Sequence, residues 1–214
     1  FGRHLPDTDL HRLLSSAVAA APPDVSVMCF LSARPGEFLP AGDDLDIDVL
    51  IKITDPATPP TDPMTLDVVP YERHLPGVKH VGEVAKTQYL RRARARGFDD
   101  AAFVDANGRL SEATIWNLAF TDGHSVIWPE AAKLDGVTMR ILQRQLARSG
   151  VEQVTRPVRP AELDESLSAV LMNSWSPGIP VARIGEHTLG NADGLVRLLA
   201  DAYAAEPALA VPAS

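Results

Sequence analysis

Cysteine is almost absent: Cys29 is the only one in the chain. A lone thiol rules out an internal disulfide, and a reducing, cytoplasmic compartment is the expectation. Basic residues are outnumbered, with 20 lysines and arginines against 28 aspartates and glutamates and a formal charge of -8. Neutralising phosphates along a nucleic acid needs the opposite balance, so no nucleic-acid partner is expected. No apolar run approaches the length that crosses a bilayer, so no membrane partner is expected. Internal repeats are missing too. What remains is a chain of 214 residues, 45% hydrophobic, with room for one large domain or two modest ones. Phe1 opens the chain in mid-pattern, and a preceding segment is expected.

Pro6-Asp7-Thr8-Asp9 starts a helix whose apolar face is Leu10, Leu13, Leu14 and Val18; Pro22-Pro23 stops it. Strands follow at 25–31 and 44–53. In the second, Leu45, Ile47, Val49, Ile51 and Ile53 alternate with Asp44, Asp46, Asp48 and Lys52. Four prolines between Asp55 and Pro63 exclude helix and central strand, which makes this stretch the best interdomain linker. A strand resumes at 64–69. A helix ending at Gly97 is expected to bury Val84 and Leu90 and to expose Lys86 and Arg91 to Arg96. Ala101 to Val104 reads as a buried strand, Asn107-Gly108 as a two-residue hairpin turn, and Leu110 as the start of the return strand. Further expectations are strands at 118–120 and 125–128 around Asp122-Gly123, a helix from Gly136 to Gly150, and an extended stretch at 151–158. A short helix at 161–167, strands at 169–173 and 179–184, and a last helix at 191–204 complete the pattern. This alternation indicates an α/β or α+β domain.

Two residues in the middle of the chain carry the chemistry. Lys79 follows Pro76-Gly77 and is flanked by Val78 and Val81; apolar surroundings favour the neutral amine that forms a Schiff base. Glu112 falls on or at the end of a strand inside the fold, where a carboxylate needs a cationic or protonated partner. A structural salt bridge would satisfy it equally well. Gly136-Val137-Thr138 leads into a helix N-terminus, whose free N–H groups and threonine hydroxyl suit a phosphate; a plain cap by Asp135 is the alternative. Asn173-Ser174-Trp175-Ser176 ends a strand with two hydroxyls that suit a second phosphate edge. Amine, carboxylate, phosphate cup and hydroxyl turn together are the parts that hold pyridoxal 5'-phosphate.

From Lys79 to about Val181 the chain resembles the large domain of the class IV (fold type IV) pyridoxal-phosphate enzymes, which include branched-chain and D-amino-acid aminotransferases and aminodeoxychorismate lyase. The matching pieces are GVKH, FDDAAFVDANGRLSEATIWNLAF, LDGVT and LMNSWSPGIPV. The resemblance implies that Lys79 is the Schiff-base lysine, Glu112 the partner of the ring nitrogen, Gly136, Val137 and Thr138 the phosphate cup, and Asn173 and Ser174 a second cofactor edge. Arg73, His80, Trp116 and Trp175 become possible substrate-binding residues. It further implies two domains: 1–54 as the remainder of a small N-terminal domain, 55–63 as linker, and 64–214 as a large pseudo-barrel cofactor domain. A homodimer is implied as well. Val84 and Met139 depart from the aminotransferase pattern, which has tyrosine and often arginine there. Lys79-His80 is closer to the lyase branch.

The expected activity is transamination between a small amino acid and a 2-oxo acid. Elimination of pyruvate from 4-amino-4-deoxychorismate, in the folate pathway, is the alternative. A third reading comes from Gly42 to Asp48, whose alternating aspartates resemble the DxD pattern of nucleotidyltransferases but lack the preceding Gly-Ser. His74 and His80 have no third ligand at metal-binding spacing, so no metal is expected there.

Overall fold

A computed structural model describes residues 4–33 and 47–209. The chain divides into two compact units, one reaching up to Thr58 and the other Pro59–Pro207. In the first, helix α1 (Asp7–Ala19) accompanies an antiparallel pair, β1 (Ser26–Ala33) and β2 (Ile47–Thr54), with Cys29 opposite Ile51. Among the described residues every buried hydrophobic side chain lies at Met64 or later, so the packed core belongs to the second unit. Asp43, Asp44 and Asp46 of the acidic motif lie outside the described residues. No helix among the described residues is long and apolar enough to cross a membrane.

The second unit is built on a sheet that closes. Strands β3 (Met64–Pro70), β4 (Asp100–Val104), β5 (Leu110–Ala113) and β6 (Asn117–Thr121) are hydrogen-bonded in that order. Strand β9 (Ser168–Met172) then pairs with both β6 and β10 (Ile179–Ile184), and β10 returns to β3. A ring of six strands results, the pseudo-barrel expected from the sequence. Strands β7 (Val126–Pro129), β8 (Gln153–Arg156) and β11 (His187–Thr188) extend it at the sides.

Side chains alternate between two buried faces. Leu118, Phe120 and Leu171 join Leu66, Leu110 and Val181 in one cluster. Ala119, Val170 and Met172 point the other way, onto α3 (Val137–Arg148) and α4 (Asp193–Ala204), where they meet Met139, Leu142, Leu146 and Leu199. Helix α2 (Val84–Ala95) covers β4 through Ala93 and Tyr89 against Ala101 and Phe103. Strands buried on both faces read as unbroken apolar runs, which is why 101–104 showed no alternation. Each fully buried side chain of this size contributes roughly 1.5–3 kcal/mol.

Three local expectations are corrected. Val84 is 81% exposed and Lys86 is buried, the reverse of the expectation for these two, whereas Arg91, Arg92, Arg94 and Arg96 are exposed as expected. The inward stripe of α2 is Lys86, Tyr89 and Ala93, at helical spacing but with a charge in it. The β4–β5 connection is five residues, 105–109, not two, because Asp105 Oδ1 accepts from the N–H groups of both Asn107 and Arg109. The helix expected at 161–167 is a single 3₁₀ turn, Pro160–Glu162; beyond it the Asp164 carboxylate takes the Ser166 N–H and hydroxyl and turns the chain.

Candidate functional site

The strand register brings Glu112 and the turn that begins at Asn173 to one end of the barrel. Glu112 on β5 stands opposite Asn117 on β6, and Asn117 stands opposite Met172, the last residue of β9. Asn173 to Ser176 turn immediately afterwards. One end of three neighbouring strands therefore carries the carboxylate and the hydroxyl turn. The phosphate-cup segment is fastened to the same end: Asn117 Nδ2 donates to the Leu134 carbonyl at 2.7 Å, and the Leu134 N–H lies 3.4 Å from Glu112 Oε2. Asn173 Nδ2 donates to the Ile115 carbonyl at 3.4 Å. Trp116 and Trp175 meet edge to face with ring centres 6.0 Å apart.

No side chain caps α3, so Asp135 does not supply the cap considered from sequence. The first-turn N–H groups, with Val137 exposed and Thr138 buried beside them, face outward from a glycine N-cap. Gly136 has no room for a side chain: an added Cβ would stand 2.2 Å from Asn117 Oδ1. The glycine lets the segment leading into α3 lie directly against the Asn117 side chain.

Glu112 is 3% exposed and lies within a ring of charge. Lys86 Nζ donates to its Oε1 at 2.8 Å, and Arg73 NH1 is 3.7 Å from the same oxygen. Across the ring, Glu83 has Arg73 NH2 at 3.1 Å and Lys86 Nζ at 3.4 Å. His80 Nε2 approaches Glu83 at 3.3 Å and the His74 carbonyl at 3.0 Å. The buried oxygens of Glu83, and Arg73 Nε, have no aligned hydrogen bond. Nearby, burial pushes the Tyr71 hydroxyl above its ordinary range, and Glu83 adds to the effect. Burial also lowers the Lys133 amine, whose neighbours Asp135 and Glu112 act in the opposite direction.

Lys79 is exposed, and Val81 beside it is 83% exposed, so the apolar enclosure expected around the amine is not formed by that residue. Its backbone is nevertheless tied to the cluster, because Arg73 NH2 donates to the Val78 carbonyl at 3.0 Å while NH1 approaches Glu112. Arg73 itself is buried and engaged. Trp116 is buried, its Nε1 donating to Asp100 Oδ2 at 3.1 Å, whereas Ser174 and Trp175 are exposed. Sequence reasoning missed Lys86, Glu83 and Asn117. The available signal was Glu83-x-x-Lys86, an ion-pair spacing at a helix start. Among the described residues no group of three or more acidic, histidine or cysteine side chains could hold a metal.

The amino-transferase class IV family model matches residues 1–184. Among solved structures, the branched-chain aminotransferase of Thermoproteus uzoniensis with norvaline aligns at TM-score 0.80 and 16% identity, over 91% of this chain and 69% of that one. An aminotransferase from Brucella abortus bound to the cofactor PLP aligns at 0.77 and 20%, over 94% and 77%. A putative 4-amino-4-deoxychorismate lyase from Legionella pneumophila aligns at 0.76 and 18%, over 93% and 76%. At these identities the structures establish a common fold. The family match covers most of the sequence, and the chain belongs to the amino-transferase class IV family.

Proposed function

We propose that this chain is a pyridoxal-phosphate-dependent aminotransferase acting on a small amino acid and its 2-oxo acid partner, and that it works as a homodimer. The observation that carries the reading is the convergence of Glu112, Asn117, the uncapped start of α3 and the Asn173 turn at one barrel end. The donor set fits the cofactor. Free first-turn N–H groups suit a dianionic phosphate, and a buried carboxylate suits a cationic ring nitrogen.

When bound, pyridoxal phosphate supplies an electron sink for the pair left at the substrate Cα. The residues around it bind and move protons. The Val137 and Thr138 N–H groups and the Thr138 hydroxyl would hold the phosphate. Glu112 Oε2, which among the described residues accepts only the long hydrogen bond from Leu134, would hold the proton at the ring nitrogen. Lys79 Nζ would hold the cofactor at its aldehyde carbon and, once the substrate amine had displaced it there, would be the free base that carries the proton from the substrate Cα to that carbon.

The experiment is to incubate the protein with pyridoxal phosphate, reduce with borohydride and map the modified lysine by mass spectrometry. Label on Lys79, lost in Lys79→Ala, is the expected result; label on Lys86 or Lys133 overturns the assignment of the amine. Sedimentation of the same sample tests the dimer. The Legionella likeness and the Lys79-His80 pair favour a second reading, pyruvate elimination from aminodeoxychorismate. Pyridoxamine phosphate accumulating with an amino acid supports transamination. Pyruvate release without a 2-oxo acid acceptor supports the lyase.

A further inference from the structure

Lys86 is an odd residue for its place. It belongs to the inward stripe of α2 with Tyr89 and Ala93, and its amine lies 5.8 Å from the centre of the Phe103 ring. An apolar side chain there would extend that cluster, and replacing a buried ion pair by well-packed apolar groups is often neutral or stabilising. Stability therefore does not explain the charge. What it does is visible at Glu112. Oε1 is occupied by Lys86 at 2.8 Å with Arg73 at 3.7 Å behind it, while Oε2 receives, among the described residues, only the 3.4 Å contact from Leu134, on the segment that leads into the phosphate cup. Fastening one oxygen fixes the rotation of the carboxylate and turns the other toward the cup segment. Lys86 also bridges to Glu83, so two cations and two carboxylates alternate around the ring.

We infer that Lys86 is a positioning residue that orients Glu112 and sets the charge it presents to the cofactor's ring nitrogen. The inference rests on the cofactor reading above. The charged and titratable groups that face Glu112 are Lys86 and Glu83 at the start of α2, Arg73 and Tyr71 after β3, and Lys133 before α3, with His80 on the far side of Glu83.

The readout is the pH midpoint of the absorbance change of bound pyridoxal phosphate, measured in wild type, Lys86→Met, Lys86→Arg, Glu83→Gln, Glu112→Gln and the Lys86→Met/Glu112→Gln double variant. Removing the cation should raise the midpoint by about one unit, since a Glu112 carboxylate no longer offset by its ion-pair partner favours a protonated ring nitrogen more strongly. Lys86→Arg should restore the wild-type midpoint, and Glu83→Gln, which removes an anion, should lower it. In the Glu112→Gln background Lys86→Met should no longer move the midpoint, because the effect runs through the carboxylate. A folded, cofactor-binding Lys86→Met with an unchanged midpoint overturns the proposal, as does an equal shift in the Glu112→Gln background. If Lys86→Met does not fold, the Glu83→Gln shift decides alone. A wild-type protein with no spectral change on adding pyridoxal phosphate refutes the cofactor reading itself, a result distinct from either failure.

Discussion

Replacing Gly136 by alanine tests how the cup is made. The backbone there is φ -62°, ψ 142°, which alanine adopts freely, so any penalty comes from contact and not from backbone strain. The new Cβ would stand 2.2 Å from Asn117 Oδ1 and 3.4 Å from its Cγ. Asn117 must rotate, and its 2.7 Å bond to the Leu134 carbonyl breaks. A lost hydrogen bond costs about 1 kcal/mol and an off-rotamer side chain about as much again, which gives roughly 1–3 kcal/mol in all. For a chain of this size that lowers the melting temperature by roughly 2–12 °C. Urea and thermal unfolding measure it, and pyridoxal-phosphate titration should show weaker binding alongside. The decisive control is Asn117→Ala, which removes the atom that is struck. In that background Gly136→Ala should cost less than in wild type. Equal costs in both backgrounds would refute the reasoning.

Two further predictions concern buried carboxylates. Asp100 accepts from Thr114, Ala101 and Trp116, and burial raises its pKa against those bonds. A carboxyl raised in the folded state contributes stability that is complete below its unfolded value and is lost as pH rises through the folded one. Asp100→Asn should therefore destabilise by about 1–3 kcal/mol, since the amide NH2 that replaces Oδ2 cannot accept from the Trp116 indole, and the gap to wild type should narrow as pH rises from about 4. Urea melts across that range check it; a gap that widens with pH refutes it. Glu112→Gln removes the carboxylate but leaves Lys86 its pairing with Glu83, a loss of about 1–3 kcal/mol by denaturant unfolding. A loss under about 1 kcal/mol would mean that the pair contributes nothing to holding α2 on β5.

What the sequence determined by itself was whatever depends on nearest neighbours along the chain. Glycines with positive φ at positions 97, 108, 123 and 150 mark turns and helix ends, the apolar runs at 101–104 and 169–172 become barrel strands, and Glu112 is buried on its strand as the residues around it require. The order of the four motifs also sufficed for the family resemblance, which the family match bears out. Tertiary structure decided who touches whom. The partner of Glu112 is Lys86, which the helical pattern had placed on the solvent side. A stripe at 3.6-residue spacing can be inward whether its members are apolar or charged, and the choice between faces depends on two carboxylates elsewhere, Glu83 one turn back and Glu112 on another strand. Asn117 acquires its role only because β5, β6 and β9 pair in a register that sets it between Glu112 and the end of β9, under a glycine nineteen residues further along the chain. Local propensity carries no record of register between strands. That register is fixed when the barrel closes, and the site is assembled by the same step.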